Sequence, residues 1–144
     1  MKITKSKLEK MNACASAVEA FQAQKERDVC ALFDLMLENH TEKWANWLMV
    51  RLLNKKNRIL YAIHAAEKCL VNFEMKFPDD TRPRRAIAAA KKYLKSPARS
   101  AARSARSAAR SAWSAAWSAE RSAYKNNIKY GIGLLKRQAD RRKP

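Results

Sequence analysis

An all-α fold, a single-domain bundle of about six or seven helices, follows from three observations. The 144 residues include only two glycines and four prolines, too few breakers for a chain with many turns. β-branched residues are sparse. Residues 96 to 124 consist almost wholly of Ala, Ser and Arg, with Trp and Tyr at the far end, and Ala and Arg are among the strongest helix formers. The length suits one domain, residues 1 to 144, with a real core.

The elements follow in chain order. A first helix, about Ser6 to Gln24, carries Leu8, Met11, Ala15, Val18 and Phe21 on one side. A second, about Asp28 to Glu38, has Asp28 as a cap and turns Val29, Leu32, Phe33, Leu35 and Met36 inward. Asn39-His40 breaks it, and Thr41 caps a third helix whose Trp44, Trp47, Leu48, Val50, Leu52 and Leu53 supply core bulk. Trp44 and Trp47, about one turn apart, are expected beneath the alanines of the long Ala-rich helix. The fourth helix, about Asn57 to Phe77, repeats Ile59, Ile63, Ala66, Leu70, Phe73 and Phe77 at four-three spacing, a core seam.

Pro78-Asp79-Asp80-Thr81-Arg82-Pro83 is the sharpest punctuation. Pro78 ends one helix, and Asp80 or Thr81 caps the next with Pro83 in its first turn. That fifth helix, to about Lys95, turns Ile87, Ala90 and Leu94 in and Lys91, Lys92 and Lys95 out. Ser96-Pro97 then reads as an N-cap with Pro at the first helical position. The long sixth helix runs to about Tyr124. Asn126-Asn127 predicts a turn before a short last helix holding Ile128, Ile132, Leu134 and Leu135.

In the long helix Arg99, Arg103, Arg106, Arg110, Trp113, Trp117, Glu120 and Tyr124 advance by four and three residues and share one stripe. Serines form the neighbouring stripe and alanines fill the remaining arc, which lets another helix, or a second copy of the chain, approach closely. The stripe gains meaning from the charge. The chain carries a net +18, and the basic half begins at about residue 78: residues 1 to 77 hold 13 Lys/Arg against 9 Asp/Glu, residues 78 to 144 hold 18 against 4. From Arg82 to Ala119 there are ten basic residues and no acid, so local pairing does not neutralise them and an anionic partner is expected.

Other chemistry is weakly represented. Cys14, Cys30 and Cys69 are odd in number and widely spaced, which suggests buried reduced thiols rather than a disulfide framework or zinc site. Adjacent Asp79 and Asp80 at a helix start read as capping groups before an acid-base pair. His64 and Glu67 lie on one helix without a third ligand at matching spacing. Neither histidine has a context that marks it as the base of a nucleophile. The chain reads as non-enzymatic, with no metal and no cofactor. No apolar stretch reaches the ~20 residues of a membrane span, and no apolar run follows Met1-Lys2, so a cytoplasmic protein without a membrane partner is expected.

The order Asn12-Ala13-Cys14, Trp44-Ala45-Asn46-Trp47-Leu48, Tyr61 to Glu67, and Phe77-Pro78-Asp79-Asp80-Thr81-Arg82-Pro83-Arg84-Arg85-Ala86-Ile87, followed by an Ala-rich helix, resembles the immunity-five-like family of small all-helical bacterial and phage immunity proteins. The segment Pro78 to Ile87 is its most specific part. The resemblance implies a helical fold and a neutralising or binding role in a bacterial host cell, of immunity or phage counter-defence type. Inhibitors of nuclease toxins meet cationic clefts and should be acidic, whereas this chain is basic. Two readings therefore stand. In one, Arg82, Arg84, Arg85, Arg99, Arg103, Arg106 and Arg110 engage an acidic protein surface, that of a toxin or defence effector. In the other, the same guanidinium forks hold the phosphates of a nucleic acid or a sequestered nucleotide signal. Trp113, Trp117 and Tyr124 are either core or a stacking end for such a ligand.

Overall fold

A computed structural model of the chain describes residues 1–95 and 121–141. The described part is helical, with one isolated antiparallel bridge between Lys2 and Asp28. Its helices are α1 (Lys5–Lys10), α2 (Ala15–Ala23), α3 (Val29–Glu38), α4 (Glu42–Leu52), α5 (Lys55–Lys76), α6 (Arg82–Lys95) and α7 (Arg121–Asp140).

The helix expected over Ser6 to Gln24 is two. Asn12 takes φ 59°, a left-handed value that Asn tolerates better than most residues. Its N–H donates to the Glu9 carbonyl at 2.9 Å and that of Ala13 to the Leu8 carbonyl at 3.0 Å. This is a Schellman stop with Asn in the usual glycine position. Cys14 then serves as the N-cap residue of α2, without a side-chain capping bond to its backbone.

Asp28 caps α3 as expected, accepting from the Cys30 and Ala31 amides at 2.9 and 3.3 Å. The inward residues are Val29, Leu32, Phe33 and Leu37, while Leu35 and Met36 are half-buried. His40, at φ 55°, closes the helix after Asn39. Thr41 precedes α4, but its hydroxyl donates backward to the Met36 carbonyl at 3.0 Å instead of capping the new helix.

The main core lies where α4 meets α7, with α3 on one side and the N-terminal helices closing the end. Phe33, Leu48, Met49, Leu53 and Ile128 are almost fully enclosed. Trp44 and Trp47 are not at its centre. Both are half-buried, and Trp47 lies under the Arg51 guanidinium, 3.8 Å from its ring centre. Any cover from the alanine arc lies outside the described residues.

The turn expected at Asn126-Asn127 is absent, because α7 runs through both residues, Gly131 and Gly133. Asn127 and Ile128 are buried, so the neighbouring helices hold the segment helical against its local preference. Gly131 is closely packed: a Cβ there would stand 2.6 to 2.9 Å from Met49 side-chain atoms, so the buried Met49 side chain would have to shift. Gln138 locks the far end of α7 to the corner between α4 and α5. It accepts from the Asn54 amide at 2.9 Å and donates to the Leu52 carbonyl at 3.2 Å. Among the described helices, none is long and apolar enough to cross a membrane.

The cysteines differ from expectation too. Cys14 is exposed and Cys30 and Cys69 are half-buried, all as free thiols. Cys14 stands at the start of α2 rather than facing the core, and its 3.4 Å contact with the Ser16 hydroxyl lowers its pKa.

Candidate cationic partner-binding face

α6 packs on α5 through a narrow seam. Ile63, Ile87 and Ala90 are buried there, backed by Ile59, Ala66, Leu70, Ala86 and Leu94. Tyr93, buried near the end of α6, lies 5.5 Å from the Lys55 ammonium at the start of α5. The sequence forms this helix because four alanines and an isoleucine follow a defined start. Asp80 supplies that start by accepting from the Arg82 amide at 3.0 Å.

The flank of α6 is ion-paired. Arg84 grips Glu74 of α5 with two parallel bonds of 2.9 and 2.8 Å, and Lys91 meets Glu67 at 2.6 Å. Arg82 folds back on Asp80 at 2.6 to 3.1 Å. The hydrogen bonds from Arg82 hold the Asp80 carboxyl down at about 2. The acid-free tract is thus partly neutralised by carboxylates that precede it, on α5 and in the turn, which adjacency in sequence does not reveal.

Arg85, Lys92 and Lys95 are different. They follow one another at spacings of seven and three, with exposed Ala88 between the first two, along the solvent-facing side of α6. Among the described residues none of the three forms an ion pair, although Arg85 stands near enough to Asp80 to help lower its pKa. Arg85 was visible as a candidate from its charge, while Lys92 and Lys95 were read only as outward-facing. The clue that joins them to Arg85 is the i, i+7, i+10 register. Lys55, Lys56 and Arg58 at the exposed start of α5 add further positive charge.

Of the other candidate residues, Arg99, Arg103, Arg106, Arg110, Trp113 and Trp117 lie outside the described residues. Tyr124 is half-buried on α7, and desolvation followed by the nearby Cys69 thiol raises its pKa. It also raises that of Tyr61, already pushed up by burial, so Tyr124 stands toward α5. His64 stacks on Tyr130 with ring centres 4.1 Å apart. Burial, then Lys68, lowers its pKa.

The segment from the last turns of α4 through α5 and α6 into α7 carries a family signature: the model described as Imm-5 like putative immunity protein matches residues 49–129. The chain belongs to this family. No curated protein and no solved structure matches it. The immunity-family segment includes the whole cationic face and the Pro78 turn, whereas α1, α2 and α3 lie before it.

Proposed function

We propose that this immunity-family protein is a non-enzymatic inhibitor, of immunity or phage counter-defence type, that binds an acidic surface of a partner protein through α6. The observation that supports this reading is the division of the α6 cations. Arg82, Arg84 and Lys91 hold carboxylates, and Arg85, Lys92 and Lys95 face solvent in one register without an ion pair among the described residues. Like charges along one helix face repel, and an acidic partner relieves that repulsion. Arg99, Arg103, Arg106 and Arg110 extend the surface in this proposal, and acidic side chains suit their guanidinium forks.

The test compares two variants of the full chain against the protein that copurifies with it. Arg85→Ala/Lys92→Ala/Lys95→Ala should keep the helical circular dichroism, weaken the partner and flatten the salt dependence of binding. Arg82→Ala/Arg84→Ala should weaken it less. Equal affinity of the triple variant and wild type at low and high salt would refute the reading. A nucleotide or nucleic acid retained instead, seen as a high ratio of absorbance at 260 to 280 nm, would transfer the same stripe to phosphates.

A further inference from the structure

Between α2, α3 and α4 lies a half-open cavity of about 590 Å³. The described residues that line it fall between Leu8 and Leu48, so among the described residues none belongs to the 49–129 segment that carries the family signature. Its walls are almost wholly apolar. Phe21, Leu32, Leu35, Met36, Trp44 and Trp47 form most of them, with Ala17 and Ala20 on the α2 side. The space exists because α2 presents alanines, which are too short to fill it. Three aromatic side chains in one hollow favour flat aromatic guests, and the volume falls within the range of small-molecule sites.

The polar lining narrows the chemistry. Gln24 accepts from the Glu26 amide at 2.5 Å through Oε1, while its buried Nε2 has no hydrogen-bond partner among the described residues. A buried donor left unmatched is unusual and costly. Asn46 likewise uses Oδ1 internally, accepting from the Tyr61 hydroxyl at 2.7 Å, which leaves its N–H groups as the available ones. Among the described lining residues the one charged side chain is Lys43, which is exposed, and there is no carboxylate, so nothing there attracts a cation. The lining asks for an acceptor on an otherwise apolar body.

We propose that this cavity is a binding site for a small, planar, uncharged aromatic molecule that carries a carbonyl acceptor. The carbonyl takes a hydrogen bond from the Gln24 amide, and the rings displace water from the indole and Phe21 surfaces. The site is independent of the cationic face, and its failure leaves the reading of α6 untouched.

The probe is 6-propionyl-2-(dimethylamino)naphthalene, a flat neutral naphthyl ketone whose emission shifts to the blue in apolar surroundings. The full chain should bind one equivalent saturably and protect Cys14, which also lines the cavity, from alkylation. Ala17→Leu/Ala20→Leu should keep the helical circular dichroism and weaken the probe about tenfold or more by occupying its space. If that variant does not fold, Ala20→Leu alone, at an exposed position, should still weaken it. Gln24→Glu keeps the oxygen that accepts from Glu26 but removes the donor. It should weaken the ketone about two- to tenfold and N-phenyl-1-naphthylamine, which has no carbonyl, less. Absence of saturable binding, equal binding by the filled variant, or equal losses for both probes in Gln24→Glu would each overturn the proposal. So would a wild type that ignores the probe while the filled variant loses a copurifying protein, since the cavity would then receive a protein side chain.

Discussion

The main core and the α5–α6 seam are built to different standards. Among the described residues, 18 buried side chains from six helices, the segment at Ile3 and the Leu53 corner join in the first, and three form the second. The first contains Phe33, Leu48, Met49 and Ile128 with almost no exposure. In the second, alanines and one isoleucine of α6 rest on α5, with ion pairs along the edge. Buried apolar area is the dominant stabilising term, so α6 belongs to the low end of local stability. The helix that carries the solvent-facing cations is therefore held more lightly than the helices beneath it, and it can adjust to a partner while the α4–α7 core stays closed.

Core truncations should widen this contrast. Phe33→Ala should cost about 3–5 kcal/mol and lower the single unfolding transition of the whole chain. Ile87→Ala should cost about 2 kcal/mol, and its hydrogen-exchange signature should be confined to α6 and the facing turns of α5. Equal acceleration across α3, α4 and α7 in the Ile87 variant would show that the two regions unfold as one.

The glycines of α7 sharpen the comparison on a smaller scale. Gly131→Ala forces a methyl against buried Met49, and overpacking should outweigh the better helix propensity for a net loss of about 1–2 kcal/mol. Gly133→Ala meets only an Arg137 guanidinium nitrogen at 3.8 Å and should gain about 0.5–1 kcal/mol from propensity. Chemical denaturation of the two variants side by side measures both signs.

The smallest effect concerns acid. Folding depresses the Asp80 pKa from 3.8 to about 2, so its contribution is fully present above the ordinary value and is lost as pH falls through that window. Asp80→Asn should remove that part of the acid slope in urea unfolding while leaving neutral-pH helicity intact. An unchanged slope would mean that the Arg82 clip does not persist in solution.

What the sequence made legible was local chemistry. Asp28, the Asn39-His40 break and the Pro78 turn announced themselves through side chains that act on their own backbone. The α5–α6 seam was readable from four-three spacing as far as Ile59, Ile63, Ala66 and Leu70, but Phe77, expected to continue it, is exposed beyond the end of α5, where α6 no longer covers it. Three features were not legible. Asn12 stops α1 by adopting a conformation that its type permits without requiring. Asn126-Asn127 look like a turn and are overruled by α4 and α3 packed around α7. Arg84 looks unpaired until α5 folds back to bring Glu74 beside it, ten residues away. The cavity was hidden for the same reason, since Trp44 and Trp47 carry the pattern of core residues and only the alanines across from them reveal a hollow.

The Gln138 amide also sets a timetable. Its bonds to Asn54 and Leu52 span 84 and 86 residues, and the α4 surface around Leu48 and Met49 closes only when α7 arrives. At roughly 5–20 residues per second, a ribosome takes about 4–17 s to make that stretch. During that interval the nascent N-terminal helices carry an uncovered apolar face. Helical as it is, the protein must therefore finish folding through late, long-range contacts, which slow folding and make the emerging chain a client for whatever shields hydrophobic surfaces in the cell.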